Sequence, residues 1–135
     1  MWVILFLPFM LSTFLDDTKS LRDFRWENRM LIVFDHPDSL DKLLSEQNQE
    51  LKERKLLVFH FVGNELTESN YPGQVNLASF NKLNSQEKPS WYLIGLDGGV
   101  KRRGQEMPAL KEIFGTIDSM PMRQSELRRK GNSFE

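Results

Sequence analysis

The chain has 135 residues and a formal net charge of -1, with 39% hydrophobic and 27% charged residues. That suffices for one globular domain with a core built without disulfides or metal, and the near-neutral balance argues against general nucleic-acid binding, which needs a basic surface against phosphates. Cysteine is absent, which excludes thiol catalysis, disulfide exchange and cysteine-ligated zinc or iron–sulfur centres.

Residues Trp2 to Leu15 are almost wholly apolar and stop at Asp16-Asp17. Fourteen helical residues at roughly 1.5 Å each reach about 21 Å, short of the roughly 30 Å bilayer core. That length suits a secretory signal peptide over residues 1–20, with Thr18-x-Ser20 offering small residues for cleavage after Ser20. No lysine or arginine precedes the run, so a buried N-terminal element and an uncleaved anchor stay open beside export. Export implies a periplasmic or extracellular protein that meets the membrane only through this segment.

Leu21 to Trp26 reads as a turn of helix. Arg29 to Phe34, RMLIVF, follows as a continuous apolar run of strand length, which suggests a central strand covered on both faces. Asp35-His36-Pro37-Asp38 breaks it, since proline cannot continue a normal ladder. Asp38 or Ser39 can then cap a helix that runs to about Arg54, with Leu40, Leu43, Leu44 and Leu51 on its inner face and Asn48 interrupting them. Leu56 to Val62, LLVFHFV, is the second strand, and strand, helix and strand make a parallel βαβ unit. His60 inside it reads as a hydrogen-bonded core or edge residue, because no carboxylate or second histidine stands at a spacing that suggests a partner.

Gly63 to Gln74 is rich in turn residues, and a short helix fits Asn76 to Leu83. Trp91 to Leu96 is a third strand. Asp97-Gly98-Gly99 then turns into Val100-Lys101-Arg102-Arg103 as a hairpin, because the turn needs the positive φ that glycine supplies. Pro108 opens a helix whose stripe is Leu110, Ile113, Phe114 and Ile117, and Pro121 ends it. Residues 123–135 are a polar tail or a second short helix. The domain itself spans 21–122, without internal repeats.

The order β-α-β-α-β-β-α resembles the thioredoxin fold: an α/β architecture with a central, mostly parallel sheet of about four strands, a C-terminal hairpin and flanking helices. The first break falls where thioredoxins place their dithiol. Pro89-Ser90 precedes the third strand, where that fold carries a cis-proline. Three motifs narrow the resemblance. Trp26 to Phe34, Leu93 to Lys101 and Ile117 to Arg123 are similar, in order, to motifs of the thioredoxin-like family catalogued as domain of unknown function 4174. That family resembles the DUDES domains of vertebrate extracellular matrix and sushi-repeat proteins, which implies a secreted protein and supplies no catalytic residues.

Candidate ligand-binding residues are therefore Asp35, His36 and Ser90 around the end of the first strand, and the basic run Lys101, Arg102 and Arg103. A carboxylate beside a histidine can support general-base work; solvated turn residues are the plainer reading. The basic run suits an anionic surface, or a hairpin edge protected from pairing. Arg123 with Arg128-Arg129-Lys130 reads as a solubilising end. Trp26, Trp91 and Tyr92 read as core or sheet cover. No catalytic residue, metal or cofactor is expected. The leading function is a non-redox thioredoxin-like module for a protein or matrix component, without nucleic acid. The alternatives are a thiol-independent enzyme or antioxidant relative using Asp35 and His36, and a binder of anionic surfaces.

Overall fold

Five strands form one sheet in a computed structural model that describes residues 18–84 and 90–132. They are β1 (Arg29–Phe34), β2 (Leu56–Val62), β3 (Glu65–Ser69), β4 (Ser90–Ile94) and β5 (Val100–Gly104), in the order β3-β2-β1-β4-β5. Only β1 and β2 run parallel; the other three pairings are antiparallel. The expected mostly parallel sheet of about four strands is thus corrected to a mixed sheet of five. For β2–β3 and β4–β5 the reason is local. Gly63-Asn64 and residues 95–99 are short turns, and a short turn can only reverse the chain, whereas the parallel pair needs the long helical crossover. Within this sheet β2-β1-β4-β5 keeps the four-strand arrangement expected from the resemblance, and β3 extends the β2 edge.

β1 is buried at every position. Leu31 and Val33 face an aliphatic core with Leu51, Val58, Leu93, Ile113 and Ile117. Met30, Ile32 and Phe34 face an aromatic one with Phe24, Phe59, Phe61 and Phe80. A strand whose two faces are both covered reads as an unbroken apolar run, and each such side chain contributes about 1.5–3 kcal/mol by leaving water. Trp91 is buried as expected and donates its Nε1–H to Glu106 O at 2.7 Å. Trp26 is not: it stands 57% exposed at positive φ, with the Arg25 guanidinium over its ring.

The single helix expected up to Arg54 is two helices, α1 (Asp41–Glu46) and α2 (Asn48–Glu53), separated at Gln47. The polar Gln47 and Asn48 give that turn no apolar contact to hold it straight against the sheet. The short helix expected over 76–83 is α3 (Leu77–Asn81), capped by the Asn76 side chain, which accepts from Ser79 N. Then come α4 (Leu110–Asp118), which buries Ile113 and Ile117, and α5 (Pro121–Asn132).

α5 occupies most of the expected polar tail, and its first turns belong to the domain. Arg29 is fully buried at the start of β1; its Nη1 donates to Arg54 O at 2.8 Å, and Nη1 and Nη2 each approach Glu126 at 3.3 Å. Arg123 is buried beside it, donating to Asp118 at 3.1 Å, to Glu53 O at 3.0 Å and to Glu126 at 3.3 Å. Arg54 makes a two-point pair with Asp118. Burial works against the Asp118 charge, but the two arginines outweigh it and hold its carboxyl below the ordinary value. At the other terminus Lys19 already touches the body through a bridge to Val75, which a cut after Ser20 would remove. The apolar run Trp2 to Leu15 and Pro89 lie outside the described residues.

Candidate functional site

The ladder of β1 continues one residue past Phe34, through Asp35 N donating to Phe61 O at 2.8 Å. Asp35 then adopts φ 57°, a left-handed conformation that aspartate tolerates better than most residues. Its carboxylate ties the turn by accepting from Gly63 N at 3.0 Å and from Asn84 Nδ2 at 3.5 Å.

His36 contributes its backbone. Its carbonyl faces His60 Nε2 at 3.0 Å, while His60 Nδ1 lies 2.9 Å from Glu68 Oε2. Both ring nitrogens thus face oxygen atoms, one of a carbonyl and one of a carboxylate. Glu68 also accepts from Leu40 N at 2.7 Å and from the Ser39 hydroxyl. Ser39 caps the helix by side chain as expected, its hydroxyl oxygen accepting from Asp41 N at 3.3 Å, and a carboxylate from β3 adds a second acceptor at the amino end of α1. Burial pushes the Glu68 pKa up, but hydrogen bonds from Ser39, His60 and Leu40 N outweigh it and hold it at about 2, against an ordinary 4.5. So strong an acid is a poor general base, and Ser39 is already donating to it.

The expectation that His60 lacks a carboxylate partner is therefore overturned. Two features concealed Glu68. Gly63 and Asn64, both at positive φ, form the two-residue turn that pairs β3 with β2. Reading that turn from sequence would still have misplaced the register: Val62 pairs with Glu65 and Phe61 with Leu66, so a regular ladder would set His60 against Thr67. A bulge between His60 and Phe61 puts Glu68 there instead.

Ser90 lies across from Phe34 in the β1–β4 ladder, at the same end of the sheet as Asp35 and His36. Its Oγ, Asn84 Oδ1 and His36 Nε2 are buried without hydrogen-bond partners. A shallow groove of about 390 Å³ runs along His36, Ser39, His60 and Glu68. The basic run is elsewhere, on the far edge strand β5. There Lys101 pairs with Asp97 at 2.8 Å, Arg102 donates to Thr116 at 3.1 Å and stacks over Trp91, and Arg103 is exposed. The two sets of candidate residues do not form one site. Among the described residues no helix is long and apolar enough to cross a membrane.

The family described as domain of unknown function (DUF4174) matches residues 20–126. The chain belongs to that family. No curated protein matches it. Among solved structures, the pneumococcal exposed lipoprotein thioredoxin of Streptococcus pneumoniae strain TIGR4 is similar, with a TM-score of 0.43 and 15% identity over 74% of this chain and 90% of that one. In this DUF4174 domain the stretch between β1 and α1 carries no thiol, and the Glu68 carboxylate takes the Leu40 N–H and the Ser39 hydroxyl just ahead of the helix.

Proposed function

We propose that this DUF4174 domain is an exported, non-redox thioredoxin-like module that binds a protein or matrix component. The observation that carries the reading is the Glu68 cap. The head of α1 is where such a fold would stabilise a reactive anion, through free N–H groups and the helix dipole. Here the Leu40 N–H, the Ser39 hydroxyl and His60 are all spent on Glu68. The scaffold stays and the reactive position is filled from within, which favours recognition over turnover. The apolar run Trp2 to Leu15 supports export.

A thiol-independent enzyme has less in its favour, because both Asp35 oxygens already accept hydrogen bonds from Gly63 and Asn84. A binder of anionic surfaces is also weakened, since Lys101 and Arg102 are held by neighbours and Arg103 alone of the run makes no such bond. The test is peroxide consumption by the purified full chain without added thiol proteins, together with N-terminal sequencing of the envelope and secreted fractions. We expect no peroxide loss above buffer and a mature form that lacks the apolar run. Turnover would overturn the non-redox reading, and an intact cytoplasmic chain would overturn export.

A further inference from the structure

At the amino end of β1, opposite the Glu68 cluster, lies a cavity of about 290 Å³ lined by Arg29, Leu96, Lys101, Met120, Pro121 and Met122. Its walls are mostly apolar, and its charged groups are Arg29 and the Lys101–Asp97 pair. Arg29 is fully buried, and while Nη1 and Nη2 reach Glu126 and Arg54 O, its Nε–H is buried with no acceptor. A buried charged donor left unmatched is costly, and native proteins seldom leave one without a protein, water or ligand partner.

One further feature favours negative charge at the same place, and the rim pair Lys101–Asp97 does not oppose it. Met120, Pro121 and Met122 are the head of α5, where Gln124 N donates to Met120 O and the Met122 N–H ahead of it has no helical acceptor. Lys101 Nζ stands at the rim. Asp97, the acidic residue of the lining, is already neutralised by Lys101 and accepts from Gly99 N.

We infer that this cavity binds a carboxylate carried on a short apolar tail. The carboxylate supplies the acceptor that Arg29 Nε–H lacks, near the head of α5, and the tail lies against Leu96, Met120 and Met122. Methionine suits that task, because its unbranched chain adapts to ligands of different shape. At about 30 Å³ for each water-sized unit, the volume takes about ten heavy atoms, as in an eight-carbon fatty acid. The same chemistry is presented by the free C-terminus of a polypeptide that ends in leucine. The site stands at the other end of β1 from Glu68, so it does not rest on the export or partner reading.

The test is a titration of the ¹⁵N-labelled chain with octanoate, with 1-octanol, and with a short peptide ending in leucine as free acid and as amide. We expect saturable amide shifts at Lys101, Met120 and Met122, with an acid binding roughly tenfold or more tighter than its neutral counterpart. Preference for octanoate alone identifies a lipid-derived source, and preference for the peptide acid alone identifies a polypeptide terminus; both support a carboxylate site. Equal affinity for acid and neutral forms, no saturation, or shifts confined to other residues would overturn it. Arg29 is too central to the fold to be the first variant. Met122→Trp, at a residue 44% exposed on the lip, should fill the cavity and weaken the acid roughly tenfold with thermal unfolding unchanged. Lys101→Met leaves the Asp97 carboxylate uncompensated in the lining and should weaken the acid roughly threefold. Undiminished binding by Met122→Trp would also overturn the site.

Discussion

At its carboxyl end β1 runs into Asp35 and His36, and the ionised group that organises that region, Glu68, arrives from β3 to collect donors already waiting there. At its amino end β1 begins with Arg29, a cation taken wholly out of water, and its carboxylate partner arrives from α5. The first arrangement uses every hydrogen-bonding oxygen of Glu68. The second leaves Arg29 Nε–H without an acceptor, beside a cavity. Orphan atoms also exist at the carboxyl end, on His36, Asn84 and Ser90, but these residues are only half-buried. The most deeply buried of these unpartnered groups, Arg29 Nε–H, thus lies at the opposite end of the central strand from the Glu68 cluster.

The sharpest way to break that comparison is Arg29→Ala. Removing one member of a buried ion network strands the others, so we expect a loss of about 3–5 kcal/mol in urea unfolding. A loss under about 1 kcal/mol would mean that Arg29 is not the buried anchor of α5. Glu68→Gln keeps the shape at the other end and removes the charge, and should cost about 1–3 kcal/mol at neutral pH. Here pH sharpens the contrast. A carboxyl whose pKa falls from 4.5 to about 2 on folding adds stability in full above 4.5 and loses it as pH drops toward 2. The stability gap between wild type and Glu68→Gln should therefore be flat from pH 5 to 7 and close by about pH 2. A gap that does not change with pH would rule out the ionised cap. The smallest effect is expected at Ser90→Ala. It deletes a buried hydroxyl that has no partner, so stability should be unchanged or rise by up to about 1 kcal/mol. A clear loss would reveal a hydrogen bond at the carboxyl end and narrow the difference between the two.

Much of the scaffold is legible in the sequence because its signals are apolar and local. RMLIVF reads as a doubly covered strand, LLVFHFV as its parallel neighbour, Asp97-Gly98-Gly99 as a reversal and the Leu110 to Ile117 stripe as a packed helix, and each is where expected. What escapes is polar. ELTES makes a strand although its pattern is half exposed, because an edge strand with one neighbour needs little burial. Arg123 and Glu126 look like surface charge until α5 lays them on Arg29, since nothing in a sequence separates a buried ion pair from a solvated one. The candidate site was legible only as a location. Asp35, His36 and Ser90 do gather at one end of the sheet, but the groups that decide its chemistry, His60 and Glu68, meet through a one-residue bulge that leaves no mark in composition or spacing.

The cap on α1 has a further consequence, for the order in which the chain assembles. α1 and α2 are six residues each, too short to persist alone, and the carboxylate that satisfies the head of α1 lies 28 residues downstream. Local sequence supplies only the Ser39 hydroxyl, which accepts from Asp41 N. The Glu68 part of the cap exists only with the β2–β3 hairpin closed, which couples the turn at Gly63-Asn64 to completion of the first crossover. A half-exposed edge strand thereby helps to complete the first helix of the sheet.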